Sequence, residues 1–178
     1  DYVGFVFAPS RRQVTPDGAA SLRARLDERV TAVGVFVEEE PQRIAELYER
    51  GLFEVAQLHG AYHSEQLDEL KERAGSGLKI IRAVAVDENF APDLLHTEKS
   101  VDYLLFDYQQ PGSGRRFDWH LLKGVRSPYF LAGGISLENL DEALELRPFA
   151  VDVSSGVESD GLKDACKIRE FIERVRRA

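Results

Sequence analysis

The sequence has 178 residues, of which 43% are hydrophobic and 30% charged, as expected for one domain across residues 1–178 with a single core. Its formal net charge of −8 argues against a surface that binds nucleic acid or anionic membranes. The only cysteine, Cys166, excludes an internal disulfide and fits a reducing compartment. We therefore expect a cytoplasmic protein.

Seven short apolar runs predict β-strands at 2–7, 31–37, 55–59, 78–86, 102–106, 128–132 and 149–153. Helices are predicted between them. Thr15 is a helix N-cap with Pro16 at the first position, and Pro41 opens the second helix. Ser64 and Ser136 are predicted to cap later helices. Shorter helices are expected near 92–96 and 119–122, and an amphipathic helix at about 162–175 closes the chain.

Strict alternation of strands and helices predicts a parallel sheet covered by helices, in the α/β class. A doubly wound open sheet and an eight-stranded barrel both satisfy this pattern. No G-x-G-x-x-G follows the first strand, which disfavours a dinucleotide-binding sheet. Seven βα units fit a (βα)8 TIM barrel whose first strand and helix are absent, and we expect this fold.

In a parallel barrel the C-terminal ends of all strands meet on one face, where active sites lie. The polar and glycine residues at these ends are Arg11, Arg12, His59, Asp107, Gly133, Gly134, Asp152, Ser154, Ser155 and Gly156. Glycines after the sixth strand and small polar residues after the seventh allow backbone N–H groups to approach a phosphate. Gly-Gly and Ser-Ser-Gly also occur in ordinary tight turns, so neither loop alone indicates phosphate binding, but the two on consecutive strands favour it.

Asp107 follows an apolar run and precedes a loop that contains Pro111, Gly112 and Gly114. It either caps the strand or presents a catalytic acid. His59 lies two residues after Gln57, so both side chains share one strand face. No other ligand lies at metal-binding spacing from His59, so we expect no metal site.

Several segments together resemble phosphoribosylanthranilate isomerase, in the right order along nearly the whole chain. They are GFVFAPSRRQVTP at 4–16, VGVFV at 33–37, QLHG at 57–60, LLFD at 104–107, GSGRRFDW at 112–119, LAGG at 131–134 and VDVSSGVE at 151–158. The resemblance implies the Amadori rearrangement of N-(5′-phosphoribosyl)anthranilate to 1-(2-carboxyphenylamino)-1-deoxyribulose 5-phosphate in tryptophan biosynthesis. It implies no metal or organic cofactor, a phosphosugar substrate as the only partner, and a monomer or homodimer.

The resemblance also implies roles for individual residues. Asp107 matches the general acid that protonates the furanose ring oxygen. Arg12 matches the partner of the anthranilate carboxylate, and His59 and Asp152 match substrate-binding positions. The residues that match the phosphate-binding loops are Gly133, Gly134, Ser154, Ser155 and Gly156.

The sequence departs from the family pattern at the general base. That base is the cysteine of a Lys-x-Cys-Gly type motif in the family's first strand, and this sequence contains no such motif. Cys166 does not match it. We therefore expect the parent protein to be the isomerase and the 178-residue chain to be inactive. A milder departure is GSG at 112–114, where the family carries a GGTG-type loop.

Two alternatives remain open. Indole-glycerol-phosphate synthase and ribulose-phosphate epimerase are barrel enzymes with similar phosphate loops. The synthase needs a lysine at a strand end, whereas Lys79 begins its strand and Lys123 lies away from one; the epimerase needs metal ligands that are not at the required positions. The second alternative is a non-catalytic phosphate-binding barrel fragment, which predicts protection by phosphate without turnover.

Overall fold

The computed structural model describes residues 1–87, 90, 99–108 and 116–178. The contacts between these residues divide them into two units. The first unit contains residues 1–83 and 99–102, and the second contains 84–87, 90, 103–108 and 116–178. The helix predicted at 92–96 and the glycines predicted to form a loop at 112–114 lie outside the described residues.

In the first unit, parallel strands alternate with helices in chain order. The strands are β1 (Tyr2–Val6), β2 (Thr31–Val37), β3 (Val55–His59) and β4 (Lys79–Val86), whose first five residues belong to this unit. The helices are α1 (Pro16–Arg23), α2 (Pro41–Glu49) and α3 (Ser64–Ala74). Each helix buries apolar side chains, such as Ala19 in α1, Ile44 in α2 and Leu67 in α3.

In the second unit, three more parallel strands are β5 (Tyr103–Tyr108), β6 (Tyr129–Leu131) and β7 (Ala150–Val151). A 3₁₀ helix (Trp119–Leu122) and α4 (Leu140–Glu145) lie between them in sequence. An antiparallel hairpin follows, formed by β8 (Glu158–Ser159) and β9 (Leu162–Lys163), and α5 (Ala165–Arg177) closes the chain. All seven predicted strands are therefore found, and the α/β class is confirmed.

Two predicted helix starts are wrong because side chains hold the preceding turns. At α3 the N-cap is His63, not Ser64, and the N–H of His63 donates to Oε1 of Gln66 at 3.0 Å. Ser136 does not cap α4, because the N-cap of this helix is Asn139, whose Oδ1 accepts the N–H of Ser136 at 2.8 Å. The chain therefore makes a turn at 137–139, and the helix begins at Leu140.

The predicted helix at 162–175 also starts later, because a hairpin precedes it. Asp160 and Gly161 form the two-residue turn between β8 and β9, with φ of 50° and 79°. Positive φ at both positions is the geometry of a type I′ turn, for which Asp-Gly is a favoured pair. Asp164 then caps α5 by accepting the N–H groups of Cys166 and Lys167.

An aromatic cluster fills the core of the first unit beside Gly34. The rings of Phe7 and Phe36 stack with centroids 5.2 Å apart, and Phe53 meets Phe36 edge-on at 5.4 Å. A Cβ at Gly34 would lie 2.7 Å from Phe53 Cδ1 and 2.8 Å from Phe36 Cε2. The glycine in β2 therefore makes room for two aromatic rings.

We predict that Gly34→Ala destabilises the protein by about 1–3 kcal/mol, because the added methyl group overpacks this cluster. The matched control is Gly4→Ala on the neighbouring strand, where a Cβ would meet only Val35 Cγ2, at an ordinary 3.5 Å. Urea unfolding of the two variants measures the difference. Equal stabilities would contradict the overpacking explanation.

Candidate active site

Asp107 is the penultimate residue of β5 rather than the residue after the strand, so the strand extends further than predicted. Its carboxylate is half-buried, and its Oδ1 accepts the N–H of Tyr108 at 2.7 Å. Gly133 follows β6 closely and has φ of 85°. A Cβ at Gly133 would lie 2.9 Å from Asp107 Oδ1 and from Tyr108 N. The carboxylate therefore lies directly against a loop that only glycine fits.

The surroundings of Asp107 favour its protonated form. Burial is the main cause that raises its pKa, and the negative charge of Asp152 raises it further. The hydrogen bond from Tyr108 acts in the opposite direction. The resulting pKa of Asp107 is about 6, so about a tenth of this carboxyl holds a proton at pH 7, far more than at the ordinary pKa of 3.8.

The loops after β6 and β7 meet through their backbones. Ser136 and Gly156 form a parallel β-bridge, and a Cβ at Gly156 would lie only 2.0 Å from the carbonyl oxygen of Ile135. Gly134 has φ of 66°, a conformation that side chains rarely adopt. The two loops predicted to bind phosphate are thus in direct contact.

Asn139 holds the first of these loops in shape, a role that the sequence analysis missed. Its Oδ1 accepts the N–H of Ser136, and its Nδ2 donates to the carbonyl oxygen of Gly134, both at 2.8 Å. An asparagine three residues after a serine resembles a capping box, in which a side chain accepts the N–H of the residue three positions before it. Ser154 and Ser155 in the second loop are exposed.

Asp152 follows β7, and its N–H donates to the carbonyl oxygen of Leu131 at 2.7 Å. This hydrogen bond continues the pairing of β6 and β7 by one residue. Its carboxylate is near enough to Asp107 to raise the pKa of that group. The second unit therefore brings Asp107, Asp152 and Gly133 together, beside one another at the C-terminal ends of its strands.

In the first unit, Gln57 and His59 contact each other as their shared strand face predicted. Their Nε2 atoms are 2.8 Å apart, so the amide of Gln57 donates to an unprotonated ring nitrogen. Burial lowers the pKa of His59 to about 4, and the ring is neutral at physiological pH. Gln57 itself is buried.

The two arginines after β1 differ in exposure. Arg11 is exposed, whereas Arg12 is half-buried and its N–H donates to Oγ of Ser10 at 3.1 Å. Gln13 donates its side-chain amide to the carbonyl oxygen of Phe7 at 2.9 Å and so closes the turn. Of the pair, Arg12 is the less exposed.

Cys166 is exposed in the first turn of α5. Among the residues that the structure describes, no group of three histidine, cysteine, aspartate or glutamate side chains is arranged to hold a metal ion. Within the same residues, no helix combines the length and apolar character needed to cross a membrane.

Comparison with known proteins gives a consistent result. The family model for N-(5′-phosphoribosyl)anthranilate (PRA) isomerase matches residues 1–174. The N-(5′-phosphoribosyl)anthranilate isomerase of Streptococcus pneumoniae (strain Taiwan19F-14) is 43% identical over 180 residues, which cover 99% of this chain and 85% of the relative. The enzyme of the same name from Endomicrobium trichonymphae is 39% identical over 181 residues, with coverages of 99% and 88%.

Solved structures show the same likeness. Phosphoribosyl anthranilate isomerase from Thermus thermophilus has a TM-score of 0.87 at 34% identity, covering 99% of this chain and 88% of that one. A phosphoribosyl anthranilate isomerase in complex with reduced 1-(o-carboxyphenylamino)-1-deoxyribulose 5-phosphate has a TM-score of 0.79 at 34% identity, with coverages of 100% and 88%. The predicted (βα)8 TIM-barrel fold is thereby confirmed.

The shifted pKa of Asp107 predicts a pH-dependent effect of Asp107→Asn on stability. The pKa of Asp107 is about 6 in the folded state, above the ordinary 3.8. As pH rises between these values the unfolded chain ionises first, so the wild type loses up to about 3 kcal/mol of stability by pH 8. The variant lacks this loss. We therefore expect Asp107→Asn to be more stable than wild type at pH 8, and not more stable than wild type below pH 4.

Urea unfolding at pH 4 and pH 8 measures this effect. Asp160→Asn, at the exposed hairpin turn, is the matched control and should show the same difference from wild type at both pH values. An Asp107→Asn effect that is equal at both pH values would show that burial does not shift this carboxyl.

Proposed function

The chain belongs to the phosphoribosylanthranilate isomerase family, and we propose on this premise that Asp107 is the general acid of the family's reaction in tryptophan biosynthesis. That reaction converts N-(5′-phosphoribosyl)anthranilate to 1-(2-carboxyphenylamino)-1-deoxyribulose 5-phosphate. The observation that carries the proposal is the pKa of Asp107, raised by burial to about 6. A carboxyl of this pKa holds its proton often enough near pH 7 to donate it.

The proton of Asp107 would go to the oxygen of the furanose ring. The bond between this oxygen and the anomeric carbon then breaks, and the lone pair of the anthranilate nitrogen replaces the lost electrons. Gly133 supports this step because it leaves the face of the carboxyl free of a side chain. Asp152 contributes by disfavouring a second negative charge at Asp107, and we propose it as a substrate-side residue.

We propose that the substrate phosphate binds at the loops after β6 and β7, at Gly133, Gly134, Ser154, Ser155 and Gly156. Positive φ at the first two glycines and the backbone contact of Gly156 with Ile135 support this role. Such loops expose backbone N–H groups with no side chain between them and the anion. The net charge of the protein is −8, so the protein as a whole does not attract an anion. The attraction must therefore be local, and an array of backbone N–H donors supplies it.

Two residues of the first unit are proposed for the other parts of the substrate. The guanidinium of Arg12 would pair with the anthranilate carboxylate, for which its planar donors are suited. His59 would contact the substrate as a neutral ring, since burial lowers its pKa to about 4. Its hydrogen bond with Gln57 supports a fixed ring orientation.

We also propose a phosphosugar substrate as the ligand, a cytoplasmic location, and a monomer or homodimer. A structural relative from Thermotoga maritima, with a TM-score of 0.82, is described as monomers generated from a dimeric enzyme. The single cysteine supports a reducing compartment.

The 178-residue chain by itself is predicted to show no isomerase turnover. Removal of the C2′ proton needs a base, and the sequence has no Lys-x-Cys-Gly motif to supply the family's cysteine. Cys166 lies at the exposed start of α5 and does not match that position. The test is the isomerase activity of the chain purified from a tryptophan auxotroph that lacks its own isomerase. Clear turnover would contradict this prediction.

Addition of a strand carrying the Lys-x-Cys-Gly motif should produce turnover, and this protein tests the role of Asp107. We expect Asp107→Asn to lower its kcat by about 10²–10⁴-fold, the usual contribution of a general acid. The rate at low substrate should fall as pH rises through about 6, because Asp107 loses its proton there. Asp160→Asn is the control and should keep the activity of the unsubstituted protein. An Asp107→Asn variant as active as Asp160→Asn would exclude Asp107 as the general acid.

The phosphate site can be tested without turnover. Inorganic phosphate should raise the Tm of the 178-residue chain, and the stabilisation should grow as RT ln(1 + c/Kd), where c is the phosphate concentration. Gly156→Ala should abolish this shift, because its Cβ would lie 2.0 Å from the carbonyl oxygen of Ile135 and force the two loops apart. Gly4→Ala should keep the shift. A phosphate-dependent Tm that survives in Gly156→Ala would place the anion elsewhere.

A further inference from the structure

We propose that Lys163 is a positioning residue for the phosphate site, which holds the loop after β7 in the shape that the anion requires. The proposal rests on the phosphate site proposed above. Lys163 lies on β9, opposite Glu158 in the hairpin register. The sequence pattern predicts a helix at 162–175 that includes this residue, so no role for Lys163 follows from the sequence alone.

The ammonium group of Lys163 has three acceptors around it. Its Nζ donates to the carbonyl oxygen of Ser154 at 2.8 Å and to Oγ of the same serine at 3.2 Å. It also pairs with Oε1 of Glu158 at 3.0 Å. A lysine ammonium has three N–H donors, so these contacts use all of them. Lys163 therefore acts on the loop and is not itself placed to bind the phosphate.

The contact with the carbonyl oxygen of Ser154 sets the direction of the next amide. The described chain has no cis peptide bond, and in a trans peptide the C=O and the following N–H point to opposite sides. With the carbonyl of Ser154 directed at Lys163, the N–H of Ser155 points away from it. Ser155 is one of the residues proposed to bind phosphate, so Lys163 orients a proposed phosphate donor.

Lys163 also compensates a buried negative charge beside the loop. The side chain of Glu158 is only 6% exposed. Removal of the lysine would leave this carboxylate without that cation close to an anion-binding loop, where like charges repel. Lys167 does not replace the contact to Ser154, since its Nζ donates to the carbonyl oxygen of Glu158 at 2.9 Å.

The two contributions can be separated by variants whose affinity for inorganic phosphate is measured by titration calorimetry. We expect Lys163→Met to weaken phosphate binding by tenfold or more. The double variant Lys163→Met/Glu158→Gln also removes the negative charge of Glu158 but does not restore the loop orientation, so it should remain at least fivefold weaker than wild type. Lys163→Arg can still donate to the carbonyl oxygen of Ser154 and should recover most of the affinity.

The control for loss of one positive charge is Lys123→Met, which alters an exposed lysine and should change the affinity by less than twofold. Unfolding in urea without phosphate shows whether each variant is folded. If Lys163→Met is unfolded, the comparison is made with Lys163→Gln and Lys163→Arg. The ¹⁵N–¹H signal of Ser155 adds a direct readout, and we expect it to shift in Lys163→Met and return towards wild type in Lys163→Arg.

Phosphate binding of wild-type strength in folded Lys163→Met would overturn the proposal. Full recovery in the double variant would also overturn it, because the lysine would then act through charge alone. Failure of the unmodified chain to bind phosphate would instead contradict the phosphate site. In that case, an unchanged Ser155 signal in Lys163→Met would separately exclude control of this amide by Lys163.

Discussion

The site in the second unit depends on one close backbone contact, between Gly156 and the carbonyl group of Ile135. A Cβ at this glycine would lie 2.0 Å from that oxygen, far inside van der Waals contact. The contact joins the loop after β6 to the loop after β7, and Ser136 and Gly156 pair as a β-bridge across it. The geometry of both proposed phosphate loops therefore follows from the absence of one side chain.

Hydrogen bonds on either side of this contact keep the loops in register. Asn139 holds Gly134 and Ser136 on one side. Lys163 holds Ser154 on the other. These side chains can affect substrate binding without contacting the substrate, because a displacement of about 1 Å in a binding loop is enough to reduce function. The hairpin of β8 and β9 is thus a structural support for the proposed anion site.

The charge states in the proposed site follow from burial more than from paired charges. Burial is the largest cause of the shift at Asp107, which favours the protonated acid, and the sole cause at His59, which favours the neutral ring. Each shift lowers stability over a particular pH range, for Asp107 as pH rises through about 6 and for His59 as pH falls from its ordinary 6.5 towards about 4. Such costs are common where a group is held ready for chemistry.

The amino-acid sequence by itself determined the succession of strands and helices along the chain, the α/β class and the family. Apolar runs, the Thr15-Pro16 helix start and motifs such as VDVSSGVE are all recognisable within short segments. It also indicated that Gln57 and His59 share a face, since strand periodicity requires it. The Asp160-Gly161 turn signal was present directly before the helix predicted at 162–175 but was not read as a hairpin, and Ser136 was mistaken for a cap. Only the tertiary structure decided the pKa of Asp107, the contact of Gly156 with Ile135 and the hydrogen bonds from Lys163 to Ser154. Each depends on groups that folding brings together from separate segments, and no local pattern specifies how deeply a carboxyl is buried or which carbonyl a lysine reaches.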